Sequence, residues 1–307
     1  MRNSIKKIFF RLFDLFLVPF SFIFLPLLKL IRKYGVQHFP LNLKAFLKIG
    51  VFPIQDHYYE PQLTYSKSFD AQKKRSLTIN FDIQGQLHGL QGFKGYVGEL
   101  EQLHVHNPAF GAGDAELYYL VIRNRKPKHI IEIGSGFSTL LALEAIKKNS
   151  AEGFTTELTC IEPFEKDWLE KIAGITLIRK PVEQIGIELF QSLAENDILF
   201  IDSSHIIRPE NDVLFEYLEL LPALQKGVLI HIHDIFSPRH YRKDWLTELY
   251  RFWNEQYLLE AFLYYNEAFQ ILFSLNYLKN DHFDVLKQTC IHLRPVDEPS
   301  SFWLKKT

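Results

Sequence analysis

The sequence has few cysteines and no excess of either charge, and both shortages exclude classes of protein. Only Cys160 and Cys290 occur among 307 residues, so neither a disulfide framework nor a cysteine-based metal site is indicated. This usage fits a reducing compartment. The formal net charge is −1, and no stretch interleaves basic and aromatic residues as phosphate-tracking surfaces do, so no nucleic-acid partner is expected. Internal repeats and low-complexity segments are also absent.

A long apolar span is missing as well, although one shorter apolar segment is present. Leu15 to Leu28 carries no charge but has only 14 residues, whereas a membrane-spanning helix needs about 20. Pro19 and Pro26 interrupt the segment, and no small-residue cleavage site follows, so a removable signal peptide is not expected. Basic residues flank it on both sides, which predicts a membrane-surface or re-entrant anchor over residues 8–33. The alternative is that it packs on the catalytic domain or on a second copy of the chain; the sequence leaves a homo-oligomer open.

The most informative motif follows the apolar run Ile130 to Ile133. The chain turns through Gly134-Ser135-Gly136 and reaches the hydroxylated residues Ser138 and Thr139. This pattern predicts a buried strand leading into a helix, through a turn where backbone N–H groups can approach a ligand closely. An ordinary tight turn would carry the same residues. The third glycine of the dinucleotide fingerprint is missing, which disfavours a nicotinamide-dependent oxidoreductase.

An acidic residue stands where a ribose-binding group would be expected. The predicted strand Glu157 to Ile161 delivers Glu162 to its carboxyl end, 28 residues after Gly134. Ligands of open parallel sheets bind outside these strand ends, and a carboxylate there can accept hydrogen bonds from two sugar hydroxyls. Alternatively, Glu162 is a solvated charge at the start of a loop.

Four further polar residues follow the fourth and fifth predicted strands. Asp202 and His205 come after the fourth strand, and His233 and Asp234 after the fifth. All four are predicted to lie on the ligand side of the sheet. A carboxylate with an imidazole three residues later has the form of a general base or a metal ligand. We predict that His205, beside Asp202, is a general base.

The same strand ends predict a cation site. Asp202 and Asp234 could hold a divalent cation such as Mg²⁺, which would orient substrate oxygens and lower the pKa of one of them. His233 is the third candidate ligand, although imidazole is softer than Mg²⁺ prefers. The alternative is that His233 and Asp234 form a satisfied polar pair that closes a buried strand.

Strand and helix patterns alternate through the second half of the chain. Near-continuous apolar strands in such an alternation indicate a parallel sheet covered on both faces. The last two apolar runs are predicted to form an antiparallel edge hairpin. The sequence predicts strands at 130–133, 156–161, 176–178, 198–201 and 228–232, helices at 138–148, 166–173, 184–194, 209–222 and 245–253, and hairpin strands at 258–265 and 269–275.

Three motifs together resemble those of class I S-adenosylmethionine-dependent methyltransferases. They are Glu132 to Thr139, Cys160 to Pro163 and Asp197 to His205, and the similarity spans roughly residues 113–274. The resemblance implies an α/β fold, Rossmann-like and doubly wound, with a mostly parallel seven-stranded sheet, an antiparallel C-terminal edge strand and an N-terminal helical extension. It implies S-adenosylmethionine as cofactor, held by Glu132, Gly134, Ser135, Gly136, Ser138, Thr139 and Glu162, with Asp114 as a further candidate.

The resemblance also suggests a cellular role. Some sugar and catechol O-methyltransferases of this class use carboxylates at these strand ends to hold a metal; His233 departs from their usual acidic or amide ligand. We predict a cytoplasmic enzyme at the inner face of the cytoplasmic membrane that methylates oxygen of a sugar, polysaccharide precursor or similar hydroxylated small molecule. The alternatives are a non-catalytic membrane-associated protein of glycan assembly that retains the fold, or an NAD-dependent oxidoreductase.

Three regions are predicted along the chain. Residues 1–36 form the apolar membrane-associating segment, residues 37–112 a helical cap that selects the acceptor, and residues 113–307 the cofactor-binding domain. Within the cap, Tyr58 and Tyr59 could stack on a sugar ring or pack in a core.

Overall fold

The computed structural model describes residues 2–51, 69–105, 109–164, 167–249 and 251–307. The chain divides into two compact units, Met1–Ser68 and Phe69–Thr307. Tyr58 and Tyr59 of the predicted cap lie outside the described residues. The division at residues 36 and 112 stays a prediction.

The first unit begins with one long helix. Helix α1 spans Arg2–Tyr34 without a break at Pro19 or Pro26, so the predicted interruption is wrong. A proline removes one backbone hydrogen bond, and the remaining bonds on both sides keep the helix continuous. Because α1 extends into the flanking residues, the 14-residue length limit does not apply: Lys6–Tyr34 is long and apolar enough to cross a membrane, with mean hydropathy 2.1 in its most apolar window. A short 3₁₀ turn, Val36–His38, and helix α2, Pro40–Ile49, follow.

The second unit is built on a seven-stranded sheet with strand order β3-β2-β1-β4-β5-β7-β6. The first five strands in chain order are parallel where they pair, whereas β7 runs antiparallel to both β5 and β6. The predicted fold class is confirmed, with the reversed strand lying next to the edge of the sheet. The strands are β1 His129–Ile133, β2 Glu157–Ile161, β3 Thr176–Ile178, β4 Ile198–Ile201, β5 Leu229–Ile232, β6 Phe269–Ser274 and β7 Phe302–Lys306.

Helices cover both faces of this sheet. Side chains alternate across a strand, so Ile130 packs into one hydrophobic core and Ile131 into the other. The helices are α3 Ile83–Gln91, α4 Asp114–Arg125, α5 Phe137–Ala151, α6 Glu188–Gln191, α7 Asp212–Phe215, α8 Leu221–Ala223, α9 Lys243–Thr247, α10 Glu255–Leu263, α11 Leu275–Asp281 and α12 Phe283–Lys287, with 3₁₀ turns at Val97–Gln102, Asp167–Lys171 and Val182–Gln184 and a π turn at Glu216–Leu220.

The predicted C-terminal hairpin is wrong. Residues 258–265 fall mostly in helix α10, and β6 pairs instead with β7, which lies about thirty residues further along the chain. Leu259 and Leu263 are buried four residues apart, the spacing of one helix face, and this periodicity prevails over the strand-like composition. The predicted helix at 209–222 is likewise divided into α7, the π turn and α8, and the one at 245–253 ends at Thr247.

Helix α3, in the region predicted as a cap, packs against the sheet edge. Phe93, just beyond α3, lies 5.7 Å from the ring of Phe273 on β6, and the side-chain oxygen of Gln86 accepts a hydrogen bond from the backbone of Ser274 at 2.8 Å. The neighbouring residues Leu90 and Leu100 are buried in the same core. This described part of the region therefore supports the sheet.

Candidate active site

The carboxyl ends of β1, β2, β4 and β5 open into one cleft of about 650 Å³. That volume falls in the range of roughly 300–1,000 Å³ typical of small-molecule sites. Three groups of lining residues are distinguished below: the glycine side (Gly134, Ile161 and Glu162), the central cluster (Asp202, His205, His233 and Asp234) and the tryptophan side (Arg208, Trp245, Arg251 and Trp253).

Gly134 brings the first turn against the end of the fourth strand. Its φ of +78° lies in the left-handed region that favours glycine. A Cβ at this position would lie 1.9 Å from the carbonyl oxygen of Asp202, so any side chain would force the two strand ends apart. The backbone N–H of Gly134 donates to Ile161 at 2.9 Å, which ties the turn to β2.

Glu162 follows β2 and lines the cleft, as its position in the sequence predicts. Its backbone N–H donates to Ile178 at 3.2 Å, which continues the parallel ladder towards β3. One carboxylate oxygen accepts a hydrogen bond from the backbone of Phe164 at 3.3 Å. Gly134 and Glu162 are thus the two predicted cofactor residues that the structure places on the cleft wall.

Glu132 and Thr139 lie beneath the turn in what we call the hydroxyl pocket, formed by Tyr118, Glu132, Ser138, Thr139 and Cys160. Glu132 is fully buried and accepts hydrogen bonds from Tyr118 Oη at 3.1 Å and from Thr139 Oγ1. Burial raises the pKa of Glu132 to about 7, although the Thr139, Tyr118 and Ser138 hydroxyls act in the opposite direction. Thr139 Oγ1 also accepts from the backbone N–H of Gly136 at 3.0 Å. Glu132 therefore supports the glycine turn from below.

The remaining cofactor candidates also lie behind the cleft wall. Ser135 and Ser138 are buried and, like Gly136, do not line the cleft. Asp114 accepts hydrogen bonds from the backbone N–H groups of Ser300 and Ser301, at 2.9 and 2.7 Å. Direct contact of these residues with a cofactor stays a prediction.

The four residues of the central cluster meet as the sequence predicts. His205 Nε2 lies 3.2 Å from Asp202 Oδ1 and 3.6 Å from Asp234 Oδ2. His233 Nδ1 lies 3.5 Å from Asp202 Oδ1 and 3.6 Å from Asp234 Oδ1. Two imidazoles thus face two carboxylates at adjacent strand ends. Behind His233, its Nε2 lies 3.5 Å from Asp114 Oδ2.

Backbone geometry fixes these side chains at the sheet edge. The N–H of Asp202 donates to Ile133 at 2.8 Å, and that of His233 donates to Ile201 at 2.9 Å, so both residues continue the ladder of their neighbouring strands. His205 and Asp234 adopt φ values of +61° and +58°. Non-glycine residues in this left-handed region concentrate at functional sites.

The charges of the cluster stabilise one another. Burial opposes ionisation of Asp202, but the positive charges of His233 and His205 lower the pKa of Asp202 well below its usual range. Burial likewise opposes protonation of His205, but hydrogen bonds to Asp202 and Glu255 raise the pKa of His205 well above its usual value. Asp234 and Asp202 raise the pKa of His233 in the same way. The His205 and His233 imidazoles and the Asp202 carboxylate therefore favour one another's charged forms.

Three of these residues satisfy the geometry of a cation site. Asp202, His233 and Asp234 each offer one ligand atom, and these atoms lie within 4.8 Å of one another. Two carboxylates suit a hard divalent cation, and the imidazole broadens the set towards transition metals. The donor set therefore fits a divalent cation, with the His205 imidazole bordering the same two carboxylates.

The sequence reasoning missed Glu255. This fully buried residue begins α10, and its carboxylate lies 2.8 Å from His205 Nδ1 and accepts a hydrogen bond from Tyr217 Oη at 3.0 Å. Trp253 places its ring 4.3 Å from the His205 ring. Both contacts join residues about fifty positions apart in the chain. The available signal was the presence of acidic residues among the buried positions of this helix.

Comparisons with known proteins concern the same part of the chain. Residues 131–235, which run from β1 to just beyond Asp234, match the model of a family described as a methyltransferase domain. The match confirms the resemblance to class I S-adenosylmethionine-dependent methyltransferases, and the matched residues include the whole central cluster.

Individual proteins with sequence or structural similarity were also found. An uncharacterized protein from Archaeoglobus fulgidus is 35% identical over 97 residues, which cover 30% of this chain and 43% of that protein. The chain thus spans less than half the length of this relative. The O-methyltransferase TomG from Streptomyces achromogenes, solved with S-adenosylmethionine, has a TM-score of 0.38 and 12% identity over 75% of this chain and 92% of its own. An O-methyltransferase from Bacillus cereus, solved with S-adenosylhomocysteine, has a TM-score of 0.35 and 10% identity over 72% and 91%.

Proposed function

We propose that the protein uses S-adenosylmethionine to methylate a hydroxyl oxygen of a sugar, polysaccharide precursor or other small hydroxylated acceptor. The observation that carries this proposal is one cleft that is lined by Gly134 and Glu162 together with the central cluster. The proposed cofactor-binding residues and a set of acid–base groups thus share one space. That arrangement is what a direct transfer between two bound molecules requires.

The glycine side has the features that hold a nucleoside cofactor. The Glu162 carboxylate lies on the cleft wall at the end of β2, where it can accept hydrogen bonds from two ribose hydroxyls. Gly134 lines the same cleft, and the lack of a side chain there lets the turn pack against the Asp202 carbonyl. S-adenosylmethionine, when bound, supplies an electrophilic methyl group.

The central cluster can manage the proton of the acceptor hydroxyl. Glu255 accepts from His205 Nδ1 and fixes the ring so that Nε2 faces Asp202 and Asp234. The neutral form of His205 can take a hydroxyl proton on Nε2, and Asp202 can orient the hydroxyl. Because the pKa of His205 is raised, its neutral form becomes populated at a higher pH than that of an ordinary histidine. We therefore retain His205 as the base, with its orientation set by Glu255.

A divalent cation is a further component of the proposal. Asp202, His233 and Asp234 would hold it, and it would lower the pKa of an oxygen bound to it. Treatment with EDTA should then reduce methyl transfer, and Mg²⁺ or Mn²⁺ should restore it. Full activity after chelation would remove the cation from the mechanism and leave the histidines and carboxylates as the working groups.

We further propose that residues 8–33 associate with the inner face of the cytoplasmic membrane. Helix α1 is long and apolar enough to enter a bilayer, and Arg32 and Lys33 lie in its last turn, where they can meet anionic headgroups. Flotation of the full chain with phosphatidylglycerol vesicles tests this. Phe16→Asp combined with Phe20→Asp should abolish flotation; unchanged flotation would contradict insertion of this helix.

Calorimetry with S-adenosylmethionine and S-adenosylhomocysteine tests the central proposal. The wild type should bind both, and Glu162→Ala should weaken binding by roughly tenfold or more, because hydrogen bonds to a charged group contribute about 1.5–3 kcal/mol. Glu157→Ala is the matched control, since Glu157 is exposed at the opposite end of the same strand. Absence of binding to the wild type, or equal effects of both variants, would contradict the proposal and favour a non-catalytic role.

A further inference from the structure

We propose that the acceptor carries an oxyanion, a carboxylate or a phosphate, and that Arg251 on the tryptophan side binds it. This inference rests on the proposed function and names the substrate class of the same cleft. Neither the family match nor the central cluster requires a charged acceptor. The reasoning starts from the surroundings of one arginine.

Arg251 packs against two aromatic rings. Its guanidinium carbon lies 4.9 Å from the ring centre of Trp245 and 4.9 Å from that of Trp253. The two indoles themselves meet edge to face at 5.1 Å, and the backbone N–H of Arg251 donates to Trp245 at 2.8 Å. Arginine stacked on aromatic faces keeps its planar N–H groups available at the edges, in the fork that matches carboxylate and phosphate oxygens.

No carboxylate neutralises Arg251 within the described residues, although it lines the cleft and is half-buried. Nearby Arg242 shows the contrast. It also lies over Trp245, at 5.5 Å, but its guanidinium is paired with Asp244 at 2.8 Å, and it does not line the cleft. Trp245 thus contacts two arginines. Arg242 has a carboxylate partner within the protein, whereas the charge of Arg251 is available to a ligand.

Arg251 is connected to the central cluster through Trp253. The Trp253 ring lies 4.9 Å from the Arg251 guanidinium carbon and 4.3 Å from the His205 ring. One aromatic ring is therefore in contact with both the cationic group and the histidine that faces Asp202. An acceptor of about one sugar ring can place a hydroxyl at the cluster and an anionic substituent at Arg251.

Electrostatics fixes the direction of binding. Arg251 and the exposed Arg208 attract an anion to their side of the cleft, whereas the carboxylates of the central cluster are already paired with His205 and His233. The indole faces offer an apolar platform for the ring that joins the two groups. A carboxylate or phosphate on the acceptor thus orients its hydroxyl towards the cluster.

Tryptophan fluorescence of the full chain in detergent, with S-adenosylhomocysteine present, tests this inference. The probes are D-glucuronate, glucose 6-phosphate, glucose and inorganic phosphate, which separate the contributions of carboxylate, phosphate and ring. For the wild type we expect at least one charged sugar to bind about tenfold more tightly than both glucose and inorganic phosphate. Glucuronate and glucose 6-phosphate then distinguish the two sources of the oxyanion.

The variants Arg251→Gln and Arg242→Gln provide the decisive pair. Arg251→Gln should lose the preference for the charged sugar and leave glucose binding unchanged, whereas Arg242→Gln should keep the wild-type preference. Equal affinity of the wild type for charged and neutral sugars, an unaffected Arg251→Gln or an equal loss in both variants would overturn the inference. Calorimetry with S-adenosylhomocysteine on the same samples separates this failure from a failure of the proposed function, since cofactor binding should persist in every variant.

Discussion

Two carboxylates at the ends of neighbouring strands have opposite acid–base character. Glu132, near the end of β1, is fully buried, whereas Asp202, just after β4, lies at the cleft with 34% of its side chain exposed. In the hydroxyl pocket, burial raises the pKa of Glu132 to about 7 although neutral hydroxyls bind the carboxylate. In the central cluster, desolvation also opposes ionisation of Asp202, but the neighbouring imidazoles of His233 and His205 lower its pKa. The imidazole partners and the partial exposure of Asp202 together account for the opposite directions.

The same two residues also differ in position: one supports the glycine turn, and the other is exposed to a ligand. Glu132 satisfies Tyr118 and Thr139 beneath the glycine turn, whereas Asp202 keeps its carboxylate at the cleft. A strongly shifted pKa therefore identifies a functional residue only when the group also reaches a ligand. Four experiments can break or sharpen this contrast.

The largest expected effect comes from removing the charge of Asp202. Asp202→Asn should lower methyl transfer by roughly 10²–10⁴-fold, as expected when a positioned acid–base group is lost, and change cofactor affinity only a few-fold. Glu132→Gln, measured beside it, should retain most activity. Labelled S-adenosylmethionine with a panel of hydroxylated sugars and sugar acids provides the assay. Comparable losses in both variants would abolish the distinction between the two carboxylates.

Gly134 stands between the two regions, and its substitution should be the next most damaging. Gly134→Ala combines a left-handed backbone with a Cβ placed 1.9 Å from the Asp202 carbonyl, so we expect a loss of about 3 kcal/mol or more in the free energy of unfolding. Gly153→Ala is the control, because Gly153 has a similar φ of +88° but open space around it. It should cost only about 1 kcal/mol. Similar urea midpoints for the two variants would show that the contact with Asp202 is unimportant.

The pH dependence of methyl transfer sharpens the role of His205. Its folded pKa is raised, so the neutral base form is scarce below that pKa and its population increases with pH. The rate should rise by about tenfold per pH unit through the neutral range and level off well above the usual histidine value. His205→Gln should flatten this profile while leaving calorimetric cofactor binding intact. A rate that levels off at an ordinary histidine pKa would contradict the assigned ion pairs.

The smallest effect concerns the stability of the hydroxyl pocket. Glu132 has a folded pKa of about 7 and a reference value of 4.5, so the folded state binds its proton more tightly than the unfolded state. The corresponding stability is present below pH 4.5 and is lost as the pH rises towards 7. Glu132→Gln should therefore become more stable relative to the wild type between pH 5 and pH 8, by about 2–3 kcal/mol. Parallel unfolding curves at the two pH values would show that burial does not perturb this carboxyl.

The central part of the fold was predictable because its signals are local. Strands β1 to β5 are short apolar runs, and the structure reproduces their predicted bounds within a residue. The residues after β4 and β5 could be grouped because parallel strands end at one edge. The turn at Gly134 was recognisable from its small residues. These features depend on neighbouring positions in the chain.

The features that were missed depend on distant contacts. The pairing of β6 with β7 and the contact of His205 with Glu255 join segments far apart in sequence, and no local pattern predicts such a partner. The placement of Glu132 behind the turn was missed for another reason: alternation along β1 turns its side chain away from the strand end, towards Tyr118 on helix α4. The continuity of α1 through two prolines was also missed, because it depends on the backbone hydrogen bonds of the whole helix and not on the residues beside each proline.

The close approach of Gly134 to Asp202 also links the two proposed ligand sites mechanically. The backbone of the glycine turn packs against the carbonyl of Asp202, the residue that we propose orients the acceptor. A molecule that displaces the turn by a few tenths of an ångström must move this carbonyl too, because packed atoms cannot interpenetrate. We therefore expect occupancy of one half of the cleft to be communicated to the other, and by thermodynamic reciprocity each ligand would alter the affinity for its companion by the same factor.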